Sequence, residues 1–355
     1  MWFRRVEKAH APVDLVGPTQ RSKRPPAYIA AVTVRGIIES LFDEAIAGGQ
    51  VPSLAGAAAR GAEVATAALG EAELASRVAT EATPFRAYSV SKPLTALAIV
   101  AMHLEGRFEL DDDANRHLRS LEVVDASGSA TAVPIRALLT HTAPLEPAVM
   151  TRGLVGCPRR FADLVDGRIS CLGPVGESWA YSNDGYGVLQ QLIEDVVDVD
   201  FGDYMNHFVR ALGVEDGGFF EPPGPPGAAV GYDRGADGAW NTSPNMYPPL
   251  AAGGLWLSAR DQERLVVALT DPDERHYSAV VLATHPQVSM PMPDLRMGLG
   301  FMVREYRGQT FAWHNGASFG GYAELWIGDA VSVSYCTNAS VDVASIAERA
   351  VTALS

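Results

Sequence analysis

The sequence predicts an α/β (α+β) protein. An antiparallel sheet built from the two ends of the chain is flanked by helices, with a mainly helical region inserted between the ends. Three observations lead there. Period-two alternation of apolar and polar residues gathers near both termini, the middle of the chain reads as helices and loops, and a helix apolar on every side sits at the junction. Such a helix has to be buried. With 355 residues, 47% apolar and 20% charged, the chain is long enough for a sizeable core and ordinary in composition for a globular protein.

Taken in order, "VRGIIESLFDEAIAGG" from Val34 has apolar residues at helical spacing and ends in a Gly-Gly stop. "PSLAGAAARGAEVATAALGEAE" reads as strands with a turn at Gly61, although its small residues blur the alternation. "SKPLTALAIVAMHLEG" is the all-apolar helix, closed by Gly106. "GRFELDDDANRHL" reads as a polar turn into a helix, and "VPIRALLTHTAPL" follows it. Segment 221–249 is rich in Pro and Gly and reads as irregular, and a loop of that length is usually functional or disordered. "LAAGGLWLSARDQERLVVAL" reads as a turn and a helix. "LRMGLGFMVREY", "QTFAWHNG", "YAELWIG" and "VSVSYCTN" read as successive antiparallel strands, and "VDVASIAERAVTAL" as a closing helix. The expected organisation is a basic, partly disordered arm over 1–28, a sheet domain made of 29–110 plus 250–355, and a helical domain over 111–249.

The net charge of −14 argues against nucleic acid and against an anionic membrane surface, both of which need clustered Lys and Arg. Residues 1–24 hold six basic and two acidic side chains, so the remainder carries −18. No apolar run suits a secretory signal or a membrane span, and Cys157, Cys171 and Cys336 are odd in number and widely spaced. A cytoplasmic protein with buried free thiols is expected. The histidines show no metal-ligand spacing and no phosphate-binding glycine loop is present, so no metal, nucleotide or other cofactor is expected.

The chain uses three lysines against 25 arginines, and one of the three, Lys92, lies in the apolar stretch "RAYSVSKPLTALAIV". Pro93 is tolerated only in a first helical turn, which puts the helix start near Ser89 or Val90. Lys92 then shares a face with Ser89 one turn away. Lysine loses its proton readily on burial, whereas arginine does not, so a neutral Lys92 can deprotonate Ser89. Ser91 is the competing hydroxyl, on another face. Two further stretches complete a constellation. In "GESWAYSNDGYGVLQQL", Tyr181 can relay a proton, and Asn183 can hold the amine and a substrate carbonyl. In "FAWHNGASFGGY", His314, Asn315, Gly316 and Ala317 lie on a strand, and Gly316 leaves room for a substrate backbone.

Ser89-x-x-Lys92, Tyr181-x-Asn183 and His314-x-Gly316, in this order, resemble the three motifs of the serine β-lactamase and penicillin-binding-protein superfamily, most closely the class C branch and its esterase and transferase relatives. The connecting segments agree over about residues 35 to 350. The resemblance implies a β-lactamase/transpeptidase-like fold and an acyl-enzyme mechanism. Ser89 attacks an ester or amide, Lys92 and Tyr181 move protons, and the N–H groups of Ser89 and Ala317 form the oxyanion hole. Relatives that process lactams usually carry lysine at the His314 position, so neutral esters or amides are expected here. The implied partner is a small-molecule acyl donor, with water, or an alcohol or amine acceptor, releasing the acyl group. The leading expectation is an esterase-like hydrolase. The second is an acyltransferase of specialised metabolism, and a non-catalytic ligand-binding relative is the third.

Overall fold

Alanine and glycine fill one strand of the main sheet because both of its faces are covered. Strand β1 (Ser53–Arg60) is SLAGAAAR, buried at every position but the last. A Cβ at Gly56 would stand 2.4 Å from the Ser334 carbonyl oxygen and 2.7 Å from Tyr335 Cβ, so only glycine lets the neighbouring strand lie this close. This double burial is also why the sequence alternation was blurred here.

The computed structural model describes residues 33–151, 160–246, 248–341 and 343–355. The basic arm over 1–28 and Cys157 lie outside them. The N-terminal part comprises α1 (Val34–Ala47), β1, β2 (Glu63–Glu73), β3 (Arg77–Val78), β4 (Phe85–Tyr88) and α2 (Ser91–Leu104). Residues 111–249 contribute β5 (Glu122–Val124), α3 (Ile135–Leu139), α4 (Ala148–Thr151), α5 (Phe161–Leu164), β6 (Arg168–Ser170), α6 (Asn183–Val197), α7 (Phe201–Ala211), β7 (Gly218–Phe219), β8 (Tyr232–Arg234) and β9 (Trp240–Thr242). The rest comprises α8 (Leu250–Gly253), β10 (Leu255–Leu257), α9 (Ala259–Ala268), α10 (Tyr277–Thr284), β11 (Val288–Ser289), β12 (Leu295–Met297), β13 (Met302–Tyr306), β14 (Gln309–Ser318), β15 (Gly321–Ile327), β16 (Val331–Thr337) and α11 (Ser345–Leu354).

The nine-stranded sheet runs β11-β12-β13-β14-β15-β16-β1-β2-β3. Both ends of the chain meet where β1 pairs antiparallel with β16, Leu54 opposite Thr337 and Arg60 opposite Val331. One face is covered by α1 and α11, whose Ile38, Phe42, Ile346 and Leu354 pack with Phe311, Trp326 and Tyr335. The larger core holds α2, α6 and α9. Helix α2 is buried from Ser91 through Met102, as an all-apolar helix must be. Thr33 caps α1 by accepting from the Gly36 N–H at 3.1 Å, and Ser258 and Asp261 form a capping box at α9. Among the described residues no helix is long and apolar enough to cross a membrane.

Several local expectations change. The helix expected within "GRFELDDDANRHL" is only a 3₁₀ turn, Ala114–Arg116, because Asp113 caps it and its backbone is pinned by Val133. "LAAGGLWL" hides the three-residue strand β10, which pairs with β4 directly beneath the Ser89 turn. "LRMGLGFMVREY" is two strands, since Gly300 turns through φ +79° and dips against Ala96 of α2. Segment 221–249 carries the β8–β9 hairpin.

One carboxyl is buried in the aromatic layer between the sheet and α1/α11. Glu324 accepts hydrogen bonds from Tyr322 and Tyr335 hydroxyls at 2.8 and 3.0 Å and from Trp326 Nε1 at 3.3 Å. Burial outweighs these donors and pushes its pKa up to about 7. A folded-state pKa above the unfolded value means this group's contribution is full below about pH 4 and is lost as pH rises to about 7. Glu324→Gln cannot ionise. Its stability relative to wild type, measured by urea unfolding, should rise by about 3 kcal/mol between pH 4 and pH 8. An unchanging difference would refute a buried carboxyl that titrates late.

Candidate active site

The turn between β4 and α2 positions the candidate nucleophile. Ser91 is the first helical residue and Val90 the cap, so Ser89 stands just ahead of the helix rather than within it. The Lys92 N–H closes the turn onto the Ser89 carbonyl at 3.0 Å. Ser91 does not compete as a nucleophile. Its Oγ donates to the Tyr88 carbonyl at 2.5 Å and accepts from the Leu255 N–H at 2.9 Å, locking the turn to β10.

Lys92 is fully buried, and its Nζ lies 3.0 Å from Ser89 Oγ, 2.9 Å from Asn183 Oδ1 and 2.9 Å from the Ala252 carbonyl oxygen. Burial holds its pKa well below the ordinary lysine value. A neutral amine has two hydrogens and one lone pair. Asn183 and Ala252 take the hydrogens, which leaves the lone pair for the Ser89 hydroxyl proton. The Ala252 carbonyl, from α8, had no sequence signal beyond "LAAGG", because any residue type supplies a carbonyl.

The Tyr181 hydroxyl donates to Ser89 Oγ at 2.9 Å, with Lys92 Nζ 4.8 Å from its ring centroid. Tyr181 is 43% exposed, so desolvation only adds to an already high phenol pKa, opposed by the Ser89 hydrogen bond, and Tyr181 carries its proton at neutral pH. Asn183 opens α6, which Ser182 caps by accepting from the Gly185 N–H at 3.0 Å. His141 is buried in its turn. At φ +58°, its Nδ1 accepts from the Ser182 N–H at 3.1 Å and its ring stacks 4.6 Å from that of Tyr181. It therefore holds the whole Tyr181–Asn183 segment in place, and burial keeps its pKa well below the usual value.

His314 is 1% exposed on β14. Its Nδ1 lies 2.6 Å from the Asn315 carbonyl oxygen, which can only accept, so Nδ1 bears the proton and Nε2 the lone pair. Burial first, then the neighbouring Lys92, lowers its pKa to about 3. Gly316 serves the protein's own backbone. A Cβ there would stand 2.4 Å from the Ala87 carbonyl oxygen and 2.7 Å from the Ser89 nitrogen. Close packing of β14 on the Ser89 turn thus requires glycine here, a reason separate from the room for substrate expected from the sequence. Ala317, one residue on, is exposed. All seven sequence-predicted site residues thus fall on β14, the Ser89 turn and the start of α6. Cys171 and Cys336 are buried free thiols elsewhere. Among the described residues no three His, Cys, Asp or Glu side chains are placed to hold a metal ion.

A beta-lactamase family profile matches residues 38–354. The chain is 32% identical over 131 residues to esterase EstB of Burkholderia gladioli, a match that covers 36% of this chain and 33% of the esterase. Among solved structures, the octameric penicillin-binding protein homologue from Pyrococcus abyssi superposes with a TM-score of 0.77 at 22% identity, covering 90% of this chain and 77% of that one. EstCE1, described as a hydrolase with promiscuous acyltransferase activity, gives 0.74 at 20% identity, covering 90% and 96%. With a family match that spans nearly every described residue, the chain belongs to the beta-lactamase family.

Proposed function

We propose that the chain is a serine hydrolase that cleaves a small neutral ester or amide through an acyl-Ser89 intermediate. The observation that carries this reading is the set of three contacts at Lys92 Nζ, which fits a neutral amine aimed at a serine hydroxyl. Ser89 Oγ attacks the carbonyl carbon while its proton passes to Lys92. The oxyanion is held by the Ser89 and Ala317 N–H groups. The Lys92 proton then reaches the leaving group through Tyr181, and the C–O or C–N bond breaks. Water, deprotonated along the same route in reverse, releases the acid and restores Ser89. Beside the turn, a cavity of about 250 Å³ is lined by Arg86, Tyr88, Asn245 and Trp256 among others, and by none of the residues that act on the substrate in this reading. Its Arg86 guanidinium is engaged with the Gly253 and Met246 carbonyls.

Transfer to an alcohol or amine is the second reading. It uses the same intermediate, and the likeness to EstCE1 favours testing acceptors. Intact-protein mass spectrometry with esters, with and without added amines, distinguishes the two by the product formed.

A p-nitrophenyl acyl ester should release a burst of p-nitrophenol equal to the enzyme present, and Ser89→Ala should abolish it. Lys92→Arg, which keeps a cation but cannot lose it, should slow acylation by about 100-fold or more. Retention of most activity would refute the neutral-amine role. Acylation should rise with pH on one ionisation below the ordinary lysine pKa, because only the unprotonated amine is a base. With His314 neutral above about pH 3, no step near pH 6.5 should belong to it, and His314→Asn should leave the shape of the profile unchanged. His314→Lys should favour carboxylate-bearing esters over neutral ones by about tenfold. The same preference in both enzymes would overturn the assignment of His314 as the charge filter.

A further inference from the structure

Tyr88 immediately precedes Ser89 and has φ +49°, a left-handed conformation rare for a bulky side chain. It is buried, and no catalytic step uses it. Its hydroxyl donates to the Phe319 carbonyl at 3.0 Å, two residues beyond Ala317. The ring crosses the sheet between two glycines. A Cβ at Gly316 would stand 2.9 Å from Tyr88 Cβ, and one at Gly321 2.6 Å from its Cε2. The Arg86 guanidinium carbon lies 5.0 Å from the ring centroid, and the Tyr88 carbonyl accepts from Ser91 Oγ. The turn beyond Phe319 is pinned separately, since the Gly320 N–H donates to Asp233 Oδ1 at 3.1 Å.

We propose that Tyr88 is a positioning residue that sets the spacing of the oxyanion hole, an inference that rests on the reading of Ser89 as nucleophile. The two N–H donors come from different elements, Ser89 from the turn after β4 and Ala317 from β14. The Tyr88 side chain grows from the residue next to one donor and ends on the strand end that carries the other. It therefore acts as a spacer, and the left-handed backbone aims the phenol across the sheet to reach Phe319. Donors displaced by a fraction of an ångström still bind substrate but stabilise the tetrahedral oxyanion less well.

The test compares Tyr88→Phe and Tyr88→Gly with the wild type. The burst rate on a p-nitrophenyl acyl ester reads acylation, and amide hydrogen exchange at Ser89 and Ala317 reads the two donors without any substrate. Tyr88→Phe should acylate about tenfold more slowly, with little change in affinity for the uncleaved ether analogue and faster exchange at both amides. Tyr88→Gly relieves the left-handed backbone and should stay at least as slow. Wild-type acylation in Tyr88→Phe or Tyr88→Gly overturns the proposal. So does equal loss of acylation and analogue affinity, which marks a general structural role. Absence of a burst in the wild type instead counts against the acyl-enzyme reading, while unchanged exchange at both amides in Tyr88→Phe still overturns the spacer.

Discussion

The structure turns on the burial of one amine. Lys92 is fully enclosed at the start of α2, and among the described residues burial alone governs its pKa, with no carboxylate counted against it. An unpaired ammonium in such a place is costly, and a lysine answers that cost by giving up its proton. What remains is a base with two hydrogens fixed by Asn183 and Ala252 and a lone pair directed at Ser89. Removing either acceptor would free the amine to rotate, which would spoil direction before it spoiled basicity.

That requirement explains much of the architecture. Asn183 comes from the cap of α6, Ala252 from the end of α8, and Ser89 from the turn between β4 and α2. Each of these elements lies against α2, so the all-apolar helix is the common support on which the polar site is assembled. The sheet contributes from the other side. Gly316 lets β14 come within packing distance of the Ser89 nitrogen, and β10 fixes the turn from below through Ser91. His141, bound to the Ser182 N–H and stacked on Tyr181, keeps the phenol over the nucleophile. None of these supports touches the reacting atoms, yet each fixes one that does.

The sequence made most of this legible, for physical reasons. Lys92 stood out because the chain otherwise prefers arginine. Pro93 located the helix start to within two residues. Strand β14 showed alternation because one of its faces is partly open, whereas β15 and β16, buried at every position, were legible from their aromatic and β-branched residues. What stayed hidden falls into three kinds. β1 lacks alternation because both faces are buried. β10 is three residues long, too short for any period to register. Ala252 and Tyr88 act through groups that carry no pattern: one is a main-chain carbonyl, and the other looks like an ordinary core aromatic until its φ is known. Gly316 was recognised but for a different reason, since sequence shows that a side chain is missing and not which neighbour fills the space.

Charge gives the site its last constraint. The chain carries −14 overall, yet the groups around Ser89 are all driven to their neutral forms. Lys92, His141 and His314 are lowered, and Tyr181 is raised. In the proposed reaction these four neutral groups offer a charged substrate no partner to offset its lost hydration, which would favour neutral substrates before any chemistry. The same neutrality has a second effect. In the proposed acylation the Ser89 proton moves to Lys92, and an ammonium appears at the moment the oxyanion forms beside it. Both charges are absent in the ground state and present together in the transition state. Their attraction in that step therefore lowers the barrier without tightening substrate binding. Arginine at position 92 would hold its charge throughout and forfeit that difference, which gives a physical reason for lysine where the chain would otherwise choose arginine.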